Sequence, residues 1–178
     1  MKIIVIGAGA MGCLYGAYLS KHNNVTMLDV YEPQVESINQ NGITVLEEDG
    51  TEQHFSNIRA MKSGTCKEVA DLVIVFVKST HTESSLEENK ELFGENTLVM
   101  TLQNGAGNDR KIAKYVKTEN IIIGIAHKRL QIGNLLLQFL NISDCGNRRL
   151  IHFKGNAVSV ANRSYKLHIS TRHGNAVI

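Results

Sequence analysis

Short, solid apolar runs alternate along this chain with stretches whose apolar residues recur every three or four positions. Residues 2–6 (Lys-Ile-Ile-Val-Ile) form a β-branched run that suits a strand buried on both faces of a parallel sheet. Residues 11–21 predict a helix with Met11, Leu14, Tyr15, Tyr18 and Leu19 on one side. Residues 25–29 predict a second strand, and 32–40 a helix opening near Pro33. Residues 43–46 and 53–58 flank Glu47-Glu48-Asp49-Gly50, where Asp-Gly signals a hairpin turn. The run at 71–77 is the strongest strand signal of all. A polar helix follows over 82–92, ending at Gly94, then a strand over 97–102. Residues 108–116 predict a helix with Asn108 as N-cap and Ile112, Ala113 and Val116 facing inward, and 120–124 a last strand. Alternating strands and helices with short links make the fold class α/β, a doubly wound, mainly parallel sheet.

After Ala126 this pattern fades. Residues 135–142 are apolar without a clear period, and 147–178 mix isolated apolar residues with Arg, Asn, His and Ser. The expected organisation is therefore an α/β domain over 1–126 and an atypical basic tail over 127–178. Charge sharpens that boundary. Residues 1–126 carry 11 Lys and Arg against 16 Asp and Glu, whereas 127–178 carry 8 against 1, inside an overall net charge of only +2. The basic residues also change from mostly Lys to mostly Arg. Two explanations compete: a natural short variant with a basic extension, or a frame disruption near codon 126. The charge reversal, the Lys-to-Arg change and the lost period favour the second.

The three cysteines, Cys13, Cys66 and Cys145, lack metal-ligand spacing and cannot all pair, which suggests a reduced, cytoplasmic setting. No metal constellation is visible. The opening apolar run is too short for a signal peptide or a membrane span. The basic tail lacks aromatic interleaving and any recognition motif, so neither a nucleic acid nor a membrane is expected as a partner; a small molecule is.

Gly7-Ala8-Gly9-Ala10-Met11-Gly12 lies between the first strand and the first helix, the context that gives a GxGxxG pattern meaning. Gly7 permits the tight turn, Gly9 lets backbone approach a pyrophosphate, and Gly12 lets the helix pack on the strand. The N–H groups of the helix start then face the phosphates. Asp29 ends the second strand, where an acid accepts hydrogen bonds from the adenosine ribose hydroxyls. Its carboxylate repels a 2′-phosphate, and no Arg or Lys lies between Val30 and Ile58 to offset it. That favours NAD(H) over NADP(H).

With these residues in place, the chain resembles the ketopantoate reductases (2-dehydropantoate 2-reductases). The resemblance rests on the glycine loop, the hairpin over 43–58, Asp71-Leu72-Val73-Ile74-Val75-Phe76-Val77-Lys78, Leu102-Gln103-Asn104-Gly105-Ala106-Gly107-Asn108, and Ile121-Ile122-Ile123-Gly124. It covers residues 1 to about 126, that family's N-terminal domain. It implies a Rossmann fold, NAD(P)(H) as cofactor with NADP(H) the family habit, and hydride transfer to the keto carbon of ketopantoate. It implies Lys78 as a cofactor-side lysine. It also implies Asn104 as the residue that contacts the nicotinamide end and helps hold the substrate.

The family takes its proton donor, a lysine, from a helical second domain. Lys166-Leu167 echoes that neighbourhood only faintly, because residues 162–172 lack a helical apolar face. The expectation is a reductase-like chain with impaired activity; a non-catalytic nucleotide-binding module or a different 2-keto or 3-hydroxy acid dehydrogenase are the alternatives. Read from the residues alone, His81 is a solvated helix-start histidine close to Lys78, and Glu83, Glu87, Glu88 and Glu91 are a solvated helix face. Cys13 is a small core residue.

Overall fold

The computed structural model describes residues 1–47, 50–103 and 107–124, and the backbone of 166–171 and 174–177. Its centre is β1 (Lys2–Ile6), flanked by β2 (Asn24–Asp29) and β6 (Leu72–Val75). The sheet continues to β5 (Arg59–Lys62) on one side, and to β7 (Leu98–Thr101) and β8 (Ile121–Ile123) on the other. Every pairing is parallel, in the order β5-β2-β1-β6-β7-β8. This is the Rossmann order, reversing direction between β1 and β6, where a crevice opens at the carboxyl ends of the strands.

The solid apolar runs are explained by what covers each face. Ile3 and Val5 pack into one core with Cys13, Leu14, Tyr15 and Ala17 of helix α1 (Ala10–Leu19) and Ile38 of α2 (Glu32–Asn41). Ile4 and Ile6 pack into the other with Leu86 of α3 (Thr82–Glu88) and Ile112 of α4 (Asn108–Ile112). Buried on both sides, β1 has no position left for a polar residue after Lys2.

Several expected boundaries move. Residues 53–58 are not one strand: β3 (Ile43–Leu46) pairs antiparallel with β4 (Glu52–Phe55), and the chain then returns through β5 to the parallel sheet. Met11 is exposed, while Cys13 and Ala17 take the buried side of α1. Asn108 is not the N-cap of α4. Gly107, at φ +89, precedes the helix, and Asn108 is its buried first residue. Ile112 and Val116 face inward as expected, but Ala113 is exposed. Beyond the parallel sheet, β9 (Lys166–Thr171) pairs antiparallel with β3, and β10 (Gly174–Val177) with β9. Lys166 and Leu167 thus lie on a strand.

Candidate functional site

The glycine loop emerges from β1 at the crevice. Gly7 turns at φ +102, and a Cβ there would come within 3.0 Å of the Phe76 and Val77 backbone. The loop therefore lies directly against the chain leaving β6. At Gly12 a Cβ would sit 1.9 Å from the Gly7 carbonyl oxygen, so the helix approaches its own loop as closely as only glycine allows.

Gly9 differs from both. Its φ of −74° and ψ of −172° suit any residue, and a Cβ would meet nothing within 4 Å. Nothing among the described residues requires glycine there. The space that it leaves bare lies over the first turn of α1, whose opening N–H groups have no intrahelical partners.

The Ala8 peptide between these glycines is gripped at both ends. Its N–H donates to Asp29 Oδ2 at 2.7 Å. Its carbonyl accepts from Gln34 Nε2 at 3.0 Å and from the Cys13 thiol at 3.2 Å. Asp29 Oδ1 accepts from the Tyr31 N–H at 2.9 Å. A carboxylate has about four lone-pair directions, so Asp29 braces the loop and keeps acceptor capacity for a ligand. Cys13 is a core residue, as its sequence position suggests; burial pushes its thiol up to about 12, so it is no nucleophile.

Across the crevice, Lys78 follows β6 and is exposed, with no acidic partner among the described residues. His81 is exposed as well; its backbone N–H donates to the Lys78 carbonyl at 2.8 Å in a short 3₁₀ turn. That segment is tied down by a residue that sequence reasoning passed over. Gln103 Nε2 donates to the Val77 carbonyl and to Thr82 Oγ1, while its Oε1 accepts from Thr101 Oγ1. Lys111 adds a bond from Nζ to the Ser79 carbonyl at 2.9 Å. Asn104, the residue after Gln103, lies outside the described residues.

Glu83, Glu87 and Glu88 of α3 and Glu91 of the 3₁₀ turn after it are exposed, and each has a partner. Glu83 pairs with Lys114, Glu87 with Lys90 and Tyr115, Glu91 with Lys67, and Glu88 accepts from Ser63. Among the described residues, no group of three His, Cys, Asp or Glu could hold a metal ion, and no helix is long and apolar enough to cross a membrane.

A bare Gly9 over a helix start, an acid at the end of β2 and a cation three residues past β6 all follow the carboxyl ends of neighbouring parallel strands, the edge at which this fold class binds a dinucleotide. The family model described as "Ketopantoate reductase PanE/ApbA" matches residues 3–132. The chain is 37% identical over 127 residues to a 2-dehydropantoate 2-reductase of Lactococcus lactis, covering 70% of this chain and 40% of that protein. It is 34% identical over 126 residues to one of Streptococcus pyogenes, with the same coverage.

Among solved structures, D-mandelate dehydrogenase with NADH and anilino(oxo)acetate superposes with a TM-score of 0.65 at 32% identity, over 70% of this chain and 40% of that one. A 2-dehydropantoate 2-reductase from Geobacter metallireducens gives 0.63 at 30%, over 75% and 44%. The chain thus spans about 40% of the length of the curated relatives that it matches.

Proposed function

The chain belongs to the ketopantoate reductase family, and from that premise we propose that residues 1–126 bind NAD(P)(H) for the reduction of a 2-keto acid, ketopantoate being the substrate. The observation that carries the nucleotide half of this reading is Gly9, a glycine that the fold does not need and that a pyrophosphate does. The N–H groups opening α1 would hold the phosphates, Asp29 the adenosine ribose and Lys78 the far side of the crevice. Asn104 would sit at the nicotinamide end and help hold the substrate. When bound, the nicotinamide supplies the hydride.

NAD(H) is the preferred form on this reading. The Asp29 carboxylate faces the ribose position and repels a 2′-phosphate. The likeness to a D-mandelate dehydrogenase solved with NADH supports the same choice, and also supports a second reading, a dehydrogenase for a different 2-keto acid. The family takes its proton donor from a second domain, so residues 1–126 by themselves are expected to bind nucleotide with turnover far below that of a two-domain reductase.

The test is titration of the purified chain with NADH and NADPH, followed by a panel of 2-keto acids that includes ketopantoate. Absence of binding to either nucleotide would overturn the reading. Ketopantoate reduction at ordinary enzyme rates, on the order of 10 per second, would overturn the expectation of impaired turnover.

A further inference from the structure

The sequence shows no cation for some distance after Asp29, but the fold supplies one. Lys62 ends β5, and the parallel register sets it directly opposite Asp29. The Ser63 N–H donates to the Asp29 carbonyl at 2.9 Å, which holds the two strand ends level. The Lys62 ammonium is not free, however. It lies 2.5 Å from Oε1 of Glu32, the first residue of α2, and the two side chains are 56% and 60% exposed. The hydrogen bond and charge of each partner hold the Glu32 carboxyl below its ordinary range and the Lys62 ammonium above its own, so both remain ionised at neutral pH.

An ion pair this exposed adds little to stability. Its effect is on the field at the rim of the crevice. A 2′-phosphate would arrive beside Asp29 carrying about two negative charges. It would meet one carboxylate directly and, next to it, a cation already neutralised by a second carboxylate.

We propose that Glu32 sets nucleotide selectivity by occupying Lys62, which is otherwise a ready-made partner for the 2′-phosphate. The proposal rests on the reading that the adenosine ribose sits at Asp29. Glu32 and Lys62 together are a specificity device on two elements brought side by side by the β2–β5 register. Opening the pair converts a rim that rejects the phosphate into one that accepts it. NADH, without that phosphate, is indifferent to the change.

The experiment is a double-mutant cycle on the full chain, with NADH and NADPH titrated into the parent, Glu32→Gln, Lys62→Met and the double variant at low ionic strength. Glu32→Gln should tighten NADPH about fivefold, the size expected for one released charge facing a phosphate across solvent, and leave NADH within about twofold. With Lys62→Met added, the NADPH gain should fall below about twofold. An equal shift for both nucleotides would overturn the proposal, as would a gain that survives loss of Lys62. If NADH binds the parent but Glu32→Gln changes nothing, the selectivity device alone is wrong. If neither nucleotide binds the parent, the reading of the crevice fails and takes the device with it.

Discussion

The two walls of the crevice are built in opposite ways. The wall formed by the glycine loop is defined by backbone: Gly7 and Gly12 sit where a Cβ does not fit, and Asp29, Gln34 and Cys13 hold the Ala8 peptide. The wall around Lys78 is defined by side chains, with one glutamine amide and one lysine bridging strand and helix ends. A backbone wall tolerates almost no change inside the fold. A side-chain wall can lose a bond and still stand. The difference sets how each should fail.

The largest expected loss is at Gly12→Ala. A methyl group 1.9 Å from a carbonyl oxygen forces the loop off the helix, at a cost of about 3 kcal/mol in chemical denaturation. On the other wall, Gln103→Leu keeps the volume but strips partners from the Val77 carbonyl and the Thr82 and Thr101 hydroxyls. A loss of about 2 kcal/mol follows. If Gln103→Leu proved as costly as Gly12→Ala, the contrast between the walls would not hold.

Alkali separates them further, because the loop wall contains buried acids. Burial pushes the Cys13 thiol from 9.0 to about 12 and the Tyr15 hydroxyl from 10.0 to about 12. The unfolded chain releases these protons first. Stability is therefore intact below pH 9 and falls as pH rises toward 12, by about 1.4 kcal/mol per unit for the thiol alone. Melting curves of Cys13→Ala should show a shallower alkaline decline; an unchanged decline would remove the thiol from the account.

The smallest effect on stability is the most telling. Gly9→Ala places its methyl in open space and should change stability by no more than about 0.5 kcal/mol. Nucleotide affinity should nonetheless fall at least about tenfold, read by titration, because the methyl stands where phosphate must come. Retained affinity would show that the bare position serves some other purpose.

How much of this was legible in the sequence depended on where each signal resides. The runs at Ile3–Ile6 and Leu72–Val75 announce their strands because two-sided burial leaves only apolar choices. The glycine loop is legible because its constraint is local. Strand β5 is not: of Arg59-Ala60-Met61-Lys62 only Ala60 is buried, and an edge strand with charged ends carries no period to read. The role of Gln103 is invisible for a different reason, since its carbonyl and hydroxyl partners lie 26 and 21 residues away. Lys62 was missed because it meets Asp29 through sheet register, not through sequence proximity. The cap of α4 was misread because Asn108 is a common capping type, whereas the left-handed turn before the helix needed Gly107.

The grip on the Ala8 peptide also has a calorimetric consequence. A loop fastened at its N–H by Asp29 and at its carbonyl by Gln34 and Cys13 has already given up its conformational freedom when the chain folds. Nucleotide binding then involves little further ordering. The heat-capacity change on binding should follow the surface that the ligand covers, without the larger negative value that a segment folding around its ligand produces.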